Sequence, residues 1–296
     1  MVKKLFRALI EYVGHTTPWL ARGLLVMVWP FPRLYIYVAR HARLSQPVVT
    51  RTFHVHNGPL AGFDLNNLLP DEIGPVLSNS METICSDLLV KLPLKSGVAI
   101  DIGGLYGYYA LLLSRLVGAN GRVYSFEPDW RSFARLSNNV VINQIQNVVP
   151  LPICVQNTPQ GLAEWQSVPD EPWTSRLADS IAKIDAQIGT RTTVPITTLD
   201  HFADTLDIID KINFVKIDVE GMEFEVLEGA TQLLRQTKPI ILCELHSAEI
   251  AQRVFGLLSE HGYQWEQIEY VDEARQHILA FGHGQAQACR DLIAAH

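Results

Sequence analysis

Cysteine is scarce and scattered: Cys85, Cys154, Cys243 and Cys289 are the only four, and no two form a C-x-x-C pair. That spacing gives neither a zinc site nor a disulfide framework, and it suits reduced thiols in a cytosolic setting. Long apolar runs are missing as well. The most apolar stretch, Gly23 to Pro32, has ten residues between Arg22 and Arg33, two of them proline, whereas a membrane-spanning helix needs about twenty. Arg22 also breaks the apolar region that a secretory leader would need, and no convincing small-residue cleavage site follows it. Internal repeats and low-complexity tracts are absent. Positive charge is short over most of the chain. The net charge is -7, yet the first 51 residues hold eight basic residues against Glu11 alone, so the head carries +7 and the remainder -14. An acidic body is not the footprint of a nucleic-acid binder.

The basic apolar head, 1–51, reads as a helical extension to a domain over 52–296. Two readings of it stay open. Its helices pack on the body or make a homodimer contact, or it lies in the headgroup layer with Trp19, Trp29 and Tyr35 at the interface. The second reading makes a cytoplasmic protein peripheral at the inner face of the membrane.

What is present is organised around Val98-Ala-Ile-Asp-Ile-Gly-Gly-Leu-Tyr-Gly107. The apolar start suits a strand buried on both faces, and Tyr108 to Val117 supply a helix that ends at Gly118. Gly103, Gly104 and Gly107 lack Cβ, so a ligand can lie against bare backbone at the helix N-terminus. Asp101 is expected to close the strand at its carboxyl end, where open α/β sheets bind ligands. A second strand, Arg122 to Glu127, also ends in an acid, placed to accept both hydroxyls of a ribose. The pyrophosphate of a nicotinamide dinucleotide would be repelled by Asp101, whereas S-adenosylmethionine carries no phosphate and bears a cationic sulfonium and amino group. The methyl donor is therefore the preferred ligand, with a dinucleotide or a purely structural glycine turn as alternatives.

The rest of the chain fits a sheet of alternating strands and helices. Thr52 to Pro70 suggests a hairpin whose His54 and His56 share a solvated face, and Met81 to Leu92 a helix with Glu82 near its start, a candidate donor contact. Asp129 caps a helix marked by Trp130, Phe133 and Leu136. Pro150 and Pro152 confine the strand around Val148 to Val155 to an edge, and Gln156 to Gly161 would flank the adenine. Ser167 to Thr193, with Trp173, reads as a polar insertion over the site or a surface loop. Thr198 precedes a helix, Ile212 to Asp218 is a fourth strand, Glu223 to Leu234 one helix, and Pro239 to Glu244 a fifth strand. Ser247 caps a helix that stops at Gly262. Trp265 to Val271 and Ile278 to Phe281 are joined by a link short enough to require antiparallel pairing.

These pieces resemble the FkbM-type family of class I S-adenosylmethionine-dependent methyltransferases. The resemblance rests on Asp101-Ile-Gly-Gly-Leu-Tyr-Gly107, on Glu127-Pro128, on Val215-Lys-Ile-Asp-Val-Glu-Gly-Met-Glu-Phe-Glu-Val-Leu-Glu-Gly-Ala230 and on Glu244-Leu-His246, and it covers about 82–281. Gly104 stands where the family usually has alanine, and the stretch after Val155 lacks another. The resemblance implies a Rossmann-like α/β fold: a seven-stranded, mostly parallel sheet in the order 3-2-1-4-5-7-6, strand 7 antiparallel, with helices on both faces. It also implies methylation of a hydroxyl on a sugar, lipid-linked glycan or other small molecule.

An alcohol is a weak acid, so something must take its proton. The candidates are the acids at strand ends, Asp218, Glu220 and Glu244, with His246 two residues beyond Glu244, and of these Asp218, Glu244 and His246 are the preferred catalytic residues. Asp218 ranks first, because strand four lies beside strand one in that order. Its other roles would be to order the following turn or to bind the donor's amino group. Asp218, Glu244 and His246 have the ligand types of a divalent metal site, which the reading leaves open without favouring. Lys216 would pair with one of the acids. Two other functions remain: an inactive donor-binding partner subunit, and a dinucleotide-linked oxidoreductase.

Overall fold

The computed structural model describes residues 52–78, 82–168, 176–177, 190–270 and 275–295. The expectations for the basic head, for Trp173 and for most of the polar stretch after Ser167 lie outside the described residues. The chain divides into two compact units, Met1–Met81 and Glu82–His296.

In the first unit β1 (Phe53–His54) and β2 (Asp64–Leu65) pair antiparallel as the expected hairpin, followed by α1 (Pro70–Ser78). His54 Nδ1 lies 2.7 Å from Asp64 Oδ1, so this histidine is occupied by a surface partner.

The second unit begins with α2 (Thr83–Leu89), shorter at both ends than its apolar pattern suggests. Then come β3 (Val98–Ile102), α3 (Tyr108–Val117), β4 (Arg122–Phe126), α4 (Trp130–Ile142) and β5 (Val148–Leu151). Three strands follow that belong to another sheet: β6 (Cys154–Val155), β7 (Gln160–Ser167) and β8 (Arg176–Leu177). A fourth, β9 (Thr190–Thr197), leads into α5 (Leu199–Thr205). The chain continues through β10 (Ile212–Ile217), α6 (Glu223–Glu228), α7 (Thr231–Gln236), β11 (Ile240–Leu245) and α8 (Ala248–Glu260). It ends in β12 (Tyr263–Tyr270), β13 (Gln276–Gly282) and α9 (Ala286–Ala294).

The large sheet runs β5-β4-β3-β10-β11-β13-β12. Counted within that sheet this is 3-2-1-4-5-7-6, and β13 is antiparallel to both neighbours while the other pairs are parallel. Helices cover both faces because strand side chains alternate. Val215 and Ile217 of β10 join Ile100 and Ile102 of β3 in an apolar core with α5, α6, α7 and α8. The intervening residues face the other way: Lys216 stands opposite Asp101 in register and lies over the Tyr109 ring of α3. Pro150, which has no N–H to donate, sits on the β5 edge as its chemistry requires. Asp129, Thr198 and Ser247 cap their helices by accepting backbone N–H bonds from Ser132, His201 and Ile250.

Three local expectations need correction. Asp101 does not close its strand: β3 runs on to Ile102, and the Asp101 side chain is completely buried inside the sheet layer. The helix expected over Glu223 to Leu234 is two helices, broken at Gly229-Ala230. There the backbone passes so close to the Gln156 carbonyl that a Cβ on Gly229 would sit 2.3 Å from its oxygen, a contact invisible to local periodicity. The third correction is a second sheet, β6-β9-β7-β8, in which β7 and β9 pair along their whole lengths. Its alternation is masked because Leu162 points outward, 71% exposed, while Trp165 and Gln166 are both buried.

Candidate functional site

The glycine turn between β3 and α3 is shaped by how closely it passes the end of β10. Gly103 has φ +92°, and a Cβ there would stand 1.8 Å from the Asp218 carbonyl oxygen. Its N–H and that of Gly104 both donate to the Phe126 carbonyl of β4. Gly104 plays a different part: a Cβ would lie 2.4 Å from Ser125 Oγ, the hydroxyl that donates to Asp101 Oδ2 at 2.6 Å. A glycine rather than alanine thus leaves room for the serine that satisfies the buried acid. Burial pushes the Asp101 carboxyl up to about 6 despite that bond, and its Oδ1 has no hydrogen-bond partner. Gly107 caps α3 and packs on Leu136.

Leu105, strained at φ 47°, turns its N–H to Glu127 Oε2 at 2.7 Å, while Asp129 N–H donates to Oε1 at 2.9 Å. Two backbone donors therefore set the carboxylate just past the end of β4. Burial pushes Glu127 up to about 8 against the pull of those donors, so its ionised form needs further donors to be comfortable. The cleft it borders, about 670 Å³ and partly open to solvent, is floored by Gly103 and Leu105 and walled by Ile153, Val155, Trp165 and Met222. Asp218 and Glu220 line it too; among the described residues they and Glu127 are its carboxylates, and no lysine or arginine is in its lining.

Behind the cleft lies a cluster of charges. Lys216, buried to 1%, donates from Nζ to Asp218 Oδ2 at 3.1 Å. Burial works against its charge, but Asp218, Glu82, Glu244 and Asp101 outweigh that and keep it protonated. His246 donates from Nδ1 to the fully buried Glu223 at 2.8 Å. Its Nε2 is 3.2 Å from Glu220, 3.7 Å from Glu244 and 3.9 Å from Asp218, and it makes no hydrogen bond. Burial would lower the His246 pKa, but Glu220 and Glu223 outweigh it and push it up to about 11. Burial also opposes ionisation of Glu244, and His277, Lys216 and His246 together hold its carboxyl below the usual range. His277 faces Glu244 at 3.4 Å and Glu82 at 3.6 Å, and Glu82 accepts from the Tyr109 hydroxyl.

The expected residues therefore separate into three groups. Gly103, Glu127 and Asp218 border the cleft; Gly104, Gly107 and Asp101 support it from beneath; Glu82, Glu244 and His246 belong to the charge cluster, which meets the cleft at Asp218. His246 as an imidazolium and Glu244 with a depressed pKa are poor proton acceptors, whereas burial raises Glu220. Sequence reasoning missed the cleft walls Trp165 and Met222, the buried Glu223 and the second histidine, His277. Glu223 sits inside the 215–230 signature, and its total burial is the one thing the motif does not announce.

Comparison with known proteins follows the same lines. The chain is 29% identical over 173 residues to the hexuronic acid methyltransferase AglP of Haloferax volcanii, taking in 58% of this chain and spanning 66% of the length of that relative. Among solved structures, it is similar to methyltransferase FkbM from Methylobacillus flagellatus (18% identity, 64% of this chain and 45% of that one, TM-score 0.46). It is also similar to Aeropyrum pernix fibrillarin with bound S-adenosyl-L-methionine (16% identity, 67% and 74%, TM-score 0.41). The methyltransferase FkbM domain matches residues 101–265, more than half of the sequence, and the chain belongs to that family.

Proposed function

We propose that this methyltransferase moves a methyl group from S-adenosylmethionine to a hydroxyl of a sugar or sugar-containing acceptor. The observation that carries the reading is the sign of the cleft: among the described residues, its lining holds the carboxylates Glu127, Asp218 and Glu220 and no lysine or arginine. Such a lining would repel a pyrophosphate and suits a donor with a sulfonium and an ammonium group. The residues present fit that donor. In this reading Glu127, oriented by two N–H groups, accepts the ribose hydroxyls, and Gly103 brings the turn close to Asp218. The apolar lining residues Ile153, Val155 and Met222 suit a purine, and in this reading Asp218 and Glu220 take the methionine portion. Bound there, the donor supplies an electrophilic methyl group.

The chain's own contribution is alignment and proton transfer. As the acceptor oxygen bonds to the methyl carbon, the carbon–sulfur bond breaks and the hydroxyl proton must leave; in-line geometry is a large part of the acceleration. Asp218 takes the proton in this reading. It lines the cleft, and Lys216 fixes one of its oxygens. A hexuronic acid is the acceptor class suggested by the AglP relative.

The experiment is a methyl-transfer assay with labelled donor against free and lipid-linked hexuronates, neutral sugars and sugar-free alcohols. A labelled sugar ether is expected, and label confined to alcohols without sugar would reject the acceptor class. Donor binding has its own check. Glu127→Ala should weaken S-adenosylhomocysteine binding by about 1–3 kcal/mol by calorimetry, the value of two charge-assisted hydrogen bonds. Unchanged affinity would move the ribose elsewhere.

A further inference from the structure

The cluster beside the cleft holds more negative charge than its cations answer, and three buried ring nitrogens in it have no hydrogen bond: both of His277 and Nε2 of His246, the one nearest the cleft acids. The side chain of His246 is only 9% exposed, and Nδ1 is committed to Glu223, whose same oxygen also accepts the Gly221 N–H. Nε2 points among Glu220 Oε2, Glu244 Oε1 and Asp218 Oδ1 without a hydrogen bond to any of them. The other oxygen of Asp218 belongs to Lys216. A histidine with one ring nitrogen fixed by a buried carboxylate and the other aimed at acidic oxygens is the arrangement in which outer carboxylates orient metal-bound imidazoles.

The spacing agrees. Ligands held about 2.1 Å from an octahedral cation stand about 3.0 Å apart when adjacent and about 4.2 Å when opposite. The three separations from Nε2, 3.2, 3.7 and 3.9 Å, fall within those limits. One ligand atom each from Asp218, Glu220 and His246 lies within 4.8 Å of the other two.

We propose that Asp218, Glu220 and His246, flanked by Glu244, form a binding site for one divalent cation of the Mg²⁺ or Mn²⁺ kind. Two carboxylates and one imidazole are hard-to-borderline donors, which suits those ions better than a thiolate-seeking metal. Binding requires a neutral imidazole, so the cation displaces a proton from Nε2 to solvent while Nδ1 keeps its bond to Glu223. The site shares Asp218 and Glu220 with the lining of the cleft, whereas Glu127 and the glycine turn contribute no ligand to it.

The test needs neither donor nor acceptor. Chelator-treated full-length protein is titrated with Mn²⁺, and the free ion is followed by its electron paramagnetic resonance signal. One saturable site is expected in the wild type. His246→Gln and Glu220→Gln should each weaken it tenfold or more, with an unchanged far-ultraviolet circular dichroism spectrum to show that each variant folds. A wild type that leaves all Mn²⁺ free overturns the site. So does Mn²⁺ binding that survives both substitutions, because the ion is then adventitious. A wild type that binds Mn²⁺ but not S-adenosylhomocysteine would instead count against the methyl-transfer reading and leave the cation site standing.

Discussion

Asp218→Asn is expected to slow methyl transfer by about 10²- to 10⁴-fold, the usual worth of a positioned general base, with S-adenosylhomocysteine affinity within a few-fold of wild type. The substitution keeps the shape of the side chain and an oxygen for Lys216 Nζ, 3.1 Å away, and removes only the negative charge. Neighbouring groups cannot easily take over. His246 is held protonated by Glu220 and Glu223, and Glu244 is held ionised by the cations around it. Glu220, whose carboxyl burial raises, is the residue from which any residual turnover should come. Single-turnover kinetics with a saturating acceptor would read the chemical step alone. A variant that keeps full turnover but loses analogue affinity would reassign Asp218 to the donor's amino group. One that keeps both removes it from the chemistry. A variant that loses Mn²⁺ binding together with turnover, and regains neither at high Mn²⁺, would unite the base and the cation ligand in one residue.

Much of this arrangement is written in short stretches of chain, because each apolar run that ends in an acid or a glycine marks one strand leaving the sheet at its ligand edge. The order of the large sheet follows, and Pro150 identifies its edge by chemistry alone. Lys216 was also legible: two positions before Asp218 on a buried strand, it must share that residue's face. What was not legible depends on contacts between distant segments. Glu244 stands opposite His277 only through the antiparallel register of β11 and β13. The break at Gly229 answers to Gln156, and the cleft wall Trp165 belongs to a sheet whose pairing an outward leucine conceals. Asp101 shows the limit of boundary reading. One residue decides between an acid facing a ligand and an acid sealed beneath the turn, and here Ser125 and the missing Cβ of Gly104 accommodate the buried choice.

The same reasoning sets the size of the next effect. Gly103→Ala is expected to destabilise the protein by about 2–6 kcal/mol, combining overpacking at about 1–3 with a strained backbone at about 1–3. That is a large part of the about 5–15 kcal/mol that holds a typical domain together. The added methyl would enter at 1.8 Å from the Asp218 carbonyl oxygen. Neither side can yield cheaply: Gly103 N–H is tied to Phe126, and Asp218 N–H is tied to Ile102. Relief must therefore come from separating the turn from the end of β10, which moves Gly103 away from Asp218 across the floor of the cleft. Gly118→Ala supplies the comparison. Its φ is +71°, but nothing lies within 4 Å of the new Cβ, so it carries only the backbone part. Urea unfolding of both variants separates the two causes. An equal loss in both would mean that the close approach to Asp218 costs nothing, whereas a larger loss in Gly103→Ala, accompanied by weaker S-adenosylhomocysteine binding, ties the integrity of the cleft to that one missing carbon.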